Sequence, residues 1–174
     1  QSQKSFHTIT CRIYQPVFLN EEGLTDALLN NEITSAVIHP GREATIAIPE
    51  EINGKTVSQI GERLFEGNEE VRTVILPKTI RTISNRAFNF ATSLEKVEIS
   101  GPVEILENSS FYGCDSLQEL NFPDGLKKIG DHAITACSSL TDLYLPGTVE
   151  EIDEDNFALC GEPLKIHVPA GSET

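Results

Sequence analysis

The sequence lacks several residue types that define large classes of protein. It has no methionine and no tryptophan, and its four cysteines among 174 residues are too few for a disulfide scaffold. No apolar run approaches the length of a membrane span. The chain starts with Gln1, so the absence of a signal peptide says nothing about secretion. We therefore expect no membrane insertion by this segment.

Basic residues are also scarce. The chain has 13 lysines and arginines against 27 acidic residues, which gives a formal net charge of −14. An acidic surface repels phosphate groups, and no basic cluster offsets the excess. The composition therefore excludes nucleic acids and anionic membrane surfaces as partners.

No catalytic or metal-binding motif is visible. The patterns GxSxG, HExxH and CxxC are absent. The four histidines fall at unrelated positions: His7, His39, His132 and His167. An acidic run, "EEIDED" from Glu150 to Asp155, could supply calcium ligands, but its spacing matches no regular calcium loop, which favours a solvated face. The sequence therefore predicts neither an enzyme nor a cofactor or metal site.

What the sequence does contain is a repeat. Apolar residues recur every 23 residues, and we call each set that shares one position in the repeat a column. One column reads Phe65, Phe88, Phe111, Ile134, Phe157, a second Ile60, Ile83, Leu106, Ile129, Ile152, and a third Val74, Val97, Leu120, Leu143, Ile166. Columns in phase over more than a hundred residues indicate a solenoid, in which stacked coils bury a continuous core.

Each coil contains a short segment with strand periodicity. The segments are "TVILP", "KVEIS", "ELNFP", "DLYLP" and "KIHVP". Strands one coil apart should run parallel, about 4.8 Å from each other. A second extended piece, such as "TIRTI" or "LKKIG", precedes a tight turn that carries the Phe column, which should be a buried spine of stacked rings. Five extra residues near Asn53-Gly54 predict a hairpin in the first coil.

These patterns resemble a known family. "IPEEINGKTVSQIG", "LPKTIRTISNRAF", "LYLPGTVEEI" and the closing "VPAGS" are similar to the BspA-like leucine-rich repeat family of bacterial surface proteins. The resemblance covers roughly residues 44–171. It implies an α/β leucine-rich repeat solenoid of about five coils with its short parallel strands on a concave face. It also implies a secreted or surface-attached, non-enzymatic module for adhesion or protein interaction.

Residues 1–43 do not keep the period. "TITCRIY" and "EITSAVIHP" read as strands, and the segment between them predicts a short helix from Glu21 to Asn30 with Asn20 as its N-cap. The first coil of a solenoid exposes its core unless something covers it. We therefore expect residues 1–43 to form an N-terminal cap of strand, helix and strand; the alternative is the tail of an upstream domain.

Three cysteines share one column, Cys114, Cys137 and Cys160, which holds Ala91 and Asn68 in earlier coils. Small size is what these residues have in common. This favours buried thiols that act as small apolar groups. A disulfide between adjacent coils is an alternative, because the coil spacing lies within the permitted Cα distance. A metal site is a third reading, although stacked coils offer only sulfur atoms in a row.

Two columns of residues point outward from the strands, and the resemblance makes this surface the default binding face. The candidate ligand-binding residues are Glu119, Asn121, Asp142, Tyr144, Lys165 and His167. Tyr144 stands out because an exposed aromatic among polar neighbours is a frequent interface anchor. The alternative is a solvated ladder of charge pairs, Lys96 with Glu119 and Asp142 with Lys165.

The functional prediction is a non-enzymatic secreted or cell-surface module that binds an extracellular protein or glycan through the concave strand face. The alternative is a structural spacer, a rigid solenoid with no ligand of its own.

Overall fold

The computed structural model describes residues 32–33, 37–39, 44–52 and 54–171. These residues form strands joined by turns. The strands are β1 (Glu32–Ile33), β2 (Val37–His39), β3 (Ala44–Ala47), β4 (Glu51–Ile52), β5 (Lys55–Thr56), β6 (Gln59–Ile60), β7 (Val71–Leu76), β8 (Thr82–Ile83), β9 (Lys96–Ile99), β10 (Ile105–Leu106), β11 (Glu119–Asn121), β12 (Lys128–Ile129), β13 (Asp142–Tyr144), β14 (Glu151–Ile152) and β15 (Lys165–His167).

Two ladders run along the solenoid, and their neighbouring strands are parallel except for the antiparallel pair of β2 and β3. The short strands build one six-stranded sheet in the order β1-β6-β8-β10-β12-β14. The longer strands build the other ladder, which we call the strand face. It consists of two sheets, β2-β3-β7-β9 and β11-β13-β15. The predicted solenoid with parallel strands is therefore confirmed.

The 23-residue period sets the register of both ladders. Thr73 pairs with Lys96 in the strand face, and Leu106 pairs with Ile129 in the six-stranded sheet. Residues of one column thus become direct neighbours on adjacent strands. Since side chains alternate along a strand, Val74, Leu120 and Leu143 point inward and are fully buried.

The core contains the predicted ring stack. Phe65, Phe88 and Phe111 lie in parallel, with 5.0 Å between successive ring centroids and 4° between ring planes. Ile134 continues the column and is fully buried. Phe157, in the last coil, is only partly buried.

The turns that carry this column contain two left-handed residues per coil, and the last coil has a third at Phe157. Positive φ angles recur at Arg63, Arg86, Ser109, His132 and Asp155, and again at Gly67, Phe90, Gly113, Ala136 and Leu159. Left-handed backbone reverses the chain tightly, and for residues other than glycine it costs about 1–2 kcal/mol. Hydrogen bonds between turns support this geometry, such as Phe88 N–H to Ser110 O at 2.8 Å and Phe111 N–H to Ala133 O at 2.8 Å.

The α/β class is not confirmed. The described residues form strands and turns and include no helix. In the described coils, two extended segments and a tight turn take the place of a strand and a helix. The helix predicted from Glu21 to Asn30 and the strand "TITCRIY" lie outside the described residues.

Two further expectations concern the start of the solenoid. The predicted hairpin is present, because β4 pairs with β5 in antiparallel orientation. The segment "EITSAVIHP" contributes two short strands rather than one. β1 pairs with β6 in the six-stranded sheet, and β2 pairs with β3 in the strand face. The division into a cap and a solenoid at residue 43 stays a prediction.

Candidate functional site

All six predicted site residues lie on one three-stranded sheet, β11-β13-β15. The register places Glu119 beside Asp142 and Asp142 beside Lys165, while Tyr144 lies between Asn121 and His167. Their arrangement in two columns is therefore as expected. Their role in binding stays a prediction.

Tyr144 and His167 form an aromatic pair on this surface. Their rings stack with centroids 4.2 Å apart and planes 9° apart. The Nε2 atom of His167 lies 2.9 Å from Oδ1 of Asp142. Thr141 Oγ1 donates a second hydrogen bond to Asp142 Oδ2 at 2.9 Å. These two hydrogen bonds, that from His167 above all, lower the pKa of the Asp142 carboxyl. The aromatic pair is thus held in place by a charged neighbour.

A cleft lies one strand away from Tyr144, where the strand face is interrupted. Among the described strands, no ladder pairing joins β9 to β11, although the two are neighbours in the stack. The cleft has a volume of about 750 Å³. Its lining residues are Glu95, Lys96, Val97, Glu98, Ile99, Gln118, Glu119, Asn121 and Pro123. Asn121 and Glu119 thus belong both to this cleft and to the predicted site.

The charge pairs predicted across this surface are not the ones that form. Lys96 Nζ pairs with Glu98 Oε1 on its own strand at 2.8 Å. This hydrogen bond and the charge of Glu98 raise the pKa of Lys96, with a smaller contribution from Glu119. Asp142 bonds to His167, and Lys165 adds only an electrostatic attraction. Lys96 and Glu119 both line the cleft, but no ladder pairing places them side by side.

The cysteine column contains free thiols. Cys114 and Cys137 are buried and Cys160 is partly buried. The sulfur atoms of Cys114 and Cys137 each donate to a carbonyl oxygen at 3.1 Å, those of Phe88 and Phe111 respectively. Interaction with the Cys114 thiol and burial raise the pKa of Cys137. Interaction with the Cys137 thiol and burial likewise raise the pKa of Cys160. Of the three readings, this arrangement fits buried thiols.

The raised pKa of Cys137 predicts a loss of stability at alkaline pH. The unfolded thiol ionises near pH 8.5, whereas the folded thiol keeps its proton, so stability falls as pH rises above that value. Between pH 7.5 and 9.5 the free energy of unfolding of the native protein should fall by about 1 kcal/mol more than that of Cys137→Ala. Urea denaturation of both proteins at the two pH values measures this. Equal losses would contradict it. Ala91 occupies the same column, so the variant should fold.

One cluster was missed by the sequence analysis. Asp131, His132 and Asp155 bring together one imidazole and two carboxylates, with one ligand atom from each within 4.8 Å of the others. A signal was available, because His132 and Asp155 are 23 residues apart and therefore share a column. The positions of the histidines alone do not reveal this cluster, because its other two ligands are aspartates.

In the described part of the chain, no helix has the length and apolar character that a bilayer span needs.

Comparison with known proteins identifies the repeat. The sequence pattern of the BspA type Leucine rich repeat region matches residues 45–164 in six copies. A search of functionally curated proteins finds no match.

Several solved structures are similar in fold. A leucine-rich repeat protein of T. pallidum shares 31% identity over 64% of this chain and 52% of its own, with a TM-score of 0.61. The pneumococcal vaccine antigen PcpA shares 22% identity over 87% of this chain and 36% of its own, with a TM-score of 0.63. A leucine rich cell surface protein of Faecalibacterium prausnitzii A2-165 shares 24% identity over 80% of this chain and 39% of its own, with a TM-score of 0.61.

The chain thus spans about half or less of the length of these three proteins. The family match extends over most of the chain and coincides with the coils whose strands pair in register. The chain belongs to the BspA-type leucine-rich repeat family.

Proposed function

We propose that this chain is a non-enzymatic binding module at the cell surface or outside the cell, and that it binds an extracellular protein or glycan through the strand face. Leucine-rich repeat solenoids are, in general, scaffolds for protein interaction. The location is supported by two similar structures, one described as a cell surface protein and the other as a vaccine antigen.

The observation that carries the proposal is the Tyr144–His167 stack, which lies one strand from the cleft. Parallel strands turn single side chains into a continuous surface, and solenoids use such faces for extended contacts. His167 covers one side of the Tyr144 ring. On the other side Tyr144 neighbours Asn121, a short polar residue that also lines the cleft. A ligand that fills the cleft and extends over Asn121 would therefore meet an aromatic ring that is already held in position.

The cleft supplies groups that suit a polar ligand. Glu119 and Asn121 are exposed, and Val97 at its base is buried. Carboxylate and amide groups can bond to hydroxyl groups of a glycan or to the backbone and basic side chains of a protein. Most of the ionisable residues that line it are acidic, which disfavours phosphate-rich ligands.

The prediction that tests this site is loss of binding in Tyr144→Ala. The chain is first used to probe a printed glycan array and a panel of purified extracellular proteins, and the strongest hit is titrated. Loss of an interface anchor should weaken binding by at least about 1 kcal/mol, roughly fivefold. Calorimetric or surface-based titration of both proteins gives the two dissociation constants.

Lys127→Ala is the matched control. Lys127 is exposed and pairs with Glu104 at 3.7 Å, away from the strand face. Its removal should leave the dissociation constant unchanged. The reverse pattern, with Lys127 required and Tyr144 dispensable, would place binding on the other side of the solenoid. If neither the array nor the panel gives a hit, the spacer alternative replaces the proposal.

A further inference from the structure

We propose that Asp131, His132 and Asp155 form a binding site for a divalent transition-metal ion such as Zn²⁺. The site lies at the turns of two adjacent coils, away from the strand face, and is independent of the function proposed above.

The geometry of the three side chains carries the proposal. Nδ1 of His132 lies 2.9 Å from Oδ1 of Asp131. Its Nε2 atom lies 3.9 Å from Oδ2 of Asp155. Ligands bound about 2.0–2.2 Å from one zinc ion lie roughly 3–3.6 Å from each other. The His132–Asp131 pair already has such a separation. Because one ion binds only one nitrogen of an imidazole, an ion at Nδ1 requires the carboxylate of Asp155 to turn toward it, and one ligand atom from each residue already lies within 4.8 Å of the others. The side chain of Asp155 is 72% exposed, which leaves room for it.

The backbone beneath these ligands is firmly held. Ser109 N–H donates to Asp131 O at 2.9 Å. Thr135 Oγ1 donates to Asp155 O at 2.6 Å. His132 and Asp155 share the left-handed conformation, with φ angles of 54° and 56°, so one side chain starts one coil above the other. The ligands therefore sit on rigid elements, and only their side chains must adjust.

The chemistry of the ligands selects the ion. An imidazole suits zinc, copper and nickel, whereas calcium and magnesium prefer oxygen ligands alone. One nitrogen and two carboxylate oxygens leave at least one coordination position for water. The net charge of −14 also attracts cations to this surface. These features favour a weak to moderate transition-metal site over a calcium site.

Titration calorimetry with zinc chloride tests the proposal. The full chain is used without a purification tag, freshly reduced and desalted at neutral pH. One zinc ion should bind per chain, and calcium chloride should give no comparable heat. Because loss of a residue that only supports a ligand already costs 10–100-fold, His132→Asn and Asp155→Asn should each weaken binding by at least about tenfold.

His167→Asn is the matched control. His167 also faces a carboxylate, at 2.9 Å, and its side chain is 40% exposed against 39% for His132. It differs in having no third ligand within reach in the described structure. Zinc binding should be unchanged in this variant.

Nuclear magnetic resonance of the histidine side chains locates the ion, and only the His132 ring should shift. The proposal is overturned if no zinc binds, if His132→Asn or Asp155→Asn binds zinc as well as the native chain, or if His167→Asn loses it. Circular dichroism confirms that the variants, all altered at partly or fully exposed positions, remain folded.

Discussion

Replacing Phe111 with alanine is expected to lower the free energy of unfolding by about 3–5 kcal/mol. Phe111 is fully buried, and its ring stacks on Phe88 at 5.0 Å. Truncation would remove a large apolar side chain and leave a cavity that the coils on either side cannot fill, because their backbones are fixed by hydrogen bonds between turns. Urea denaturation of both proteins measures the difference.

Phe90→Ala provides the comparison within the same turn region. Phe90 is 50% exposed, and its ring lies over Gly113 and against the edge of Tyr112. Its truncation should cost less than about 1.5 kcal/mol, because only half of its surface is removed from water. A loss below about 1 kcal/mol for Phe111→Ala would show that this column does not build the core.

The sequence predicted the register of the solenoid because the period leaves little freedom. When one coil position repeats every 23 residues, stacking coils must place column members side by side. Two consequences follow directly, the pairing of Asn121 with Tyr144 and the stacking of Phe65 on Phe88. The predicted hairpin around Gly54 depends only on local turn chemistry, and it too is present.

The interruption between β9 and β11 could not be predicted in the same way. The columns continue through it without a change of spacing, and Val97 and Leu120 keep their inward positions. The local difference is Ser100, which stands after β9 where other coils have proline and donates its hydroxyl to Leu76 O at 3.1 Å. Periodicity reports which residues are neighbours, but it does not report whether their strands are close enough to bond.

The 23-residue repeat likewise does not predict which side chains form ion pairs or hydrogen bonds. Lys96 has a same-strand and a next-strand carboxylate within its neighbourhood, and it pairs with Glu98 rather than Glu119. His132 and His167 each have a carboxylate at 2.9 Å, yet only His132 has a second aspartate near enough to complete a ligand set. Such choices depend on rotamers and on small shifts between coils.

The second large effect is expected for Gly101→Ala. Gly101 follows β9 and lies one coil from Lys78. A Cβ atom at this position would lie 2.4–2.6 Å from three backbone atoms of Lys78, namely O, Cα and C. Because backbone atoms cannot swing aside as a side chain can, the two coils must separate. Overpacking of this kind costs about 1–3 kcal/mol, which urea denaturation would detect.

Gly67→Ala separates this contact from the effect of backbone conformation. Gly67 has a φ angle of 66°, but a Cβ there would meet no atom within 4 Å. Its replacement should cost about 1 kcal/mol through backbone strain alone. Amide hydrogen exchange distinguishes the two variants, since Gly101→Ala should accelerate exchange around Lys78 and along β7 and β9, and Gly67→Ala should not. Unchanged exchange at Lys78 would mean that the coils approach less closely there. Because Ile99 lines the cleft, the same displacement should also alter the strand face at its interruption.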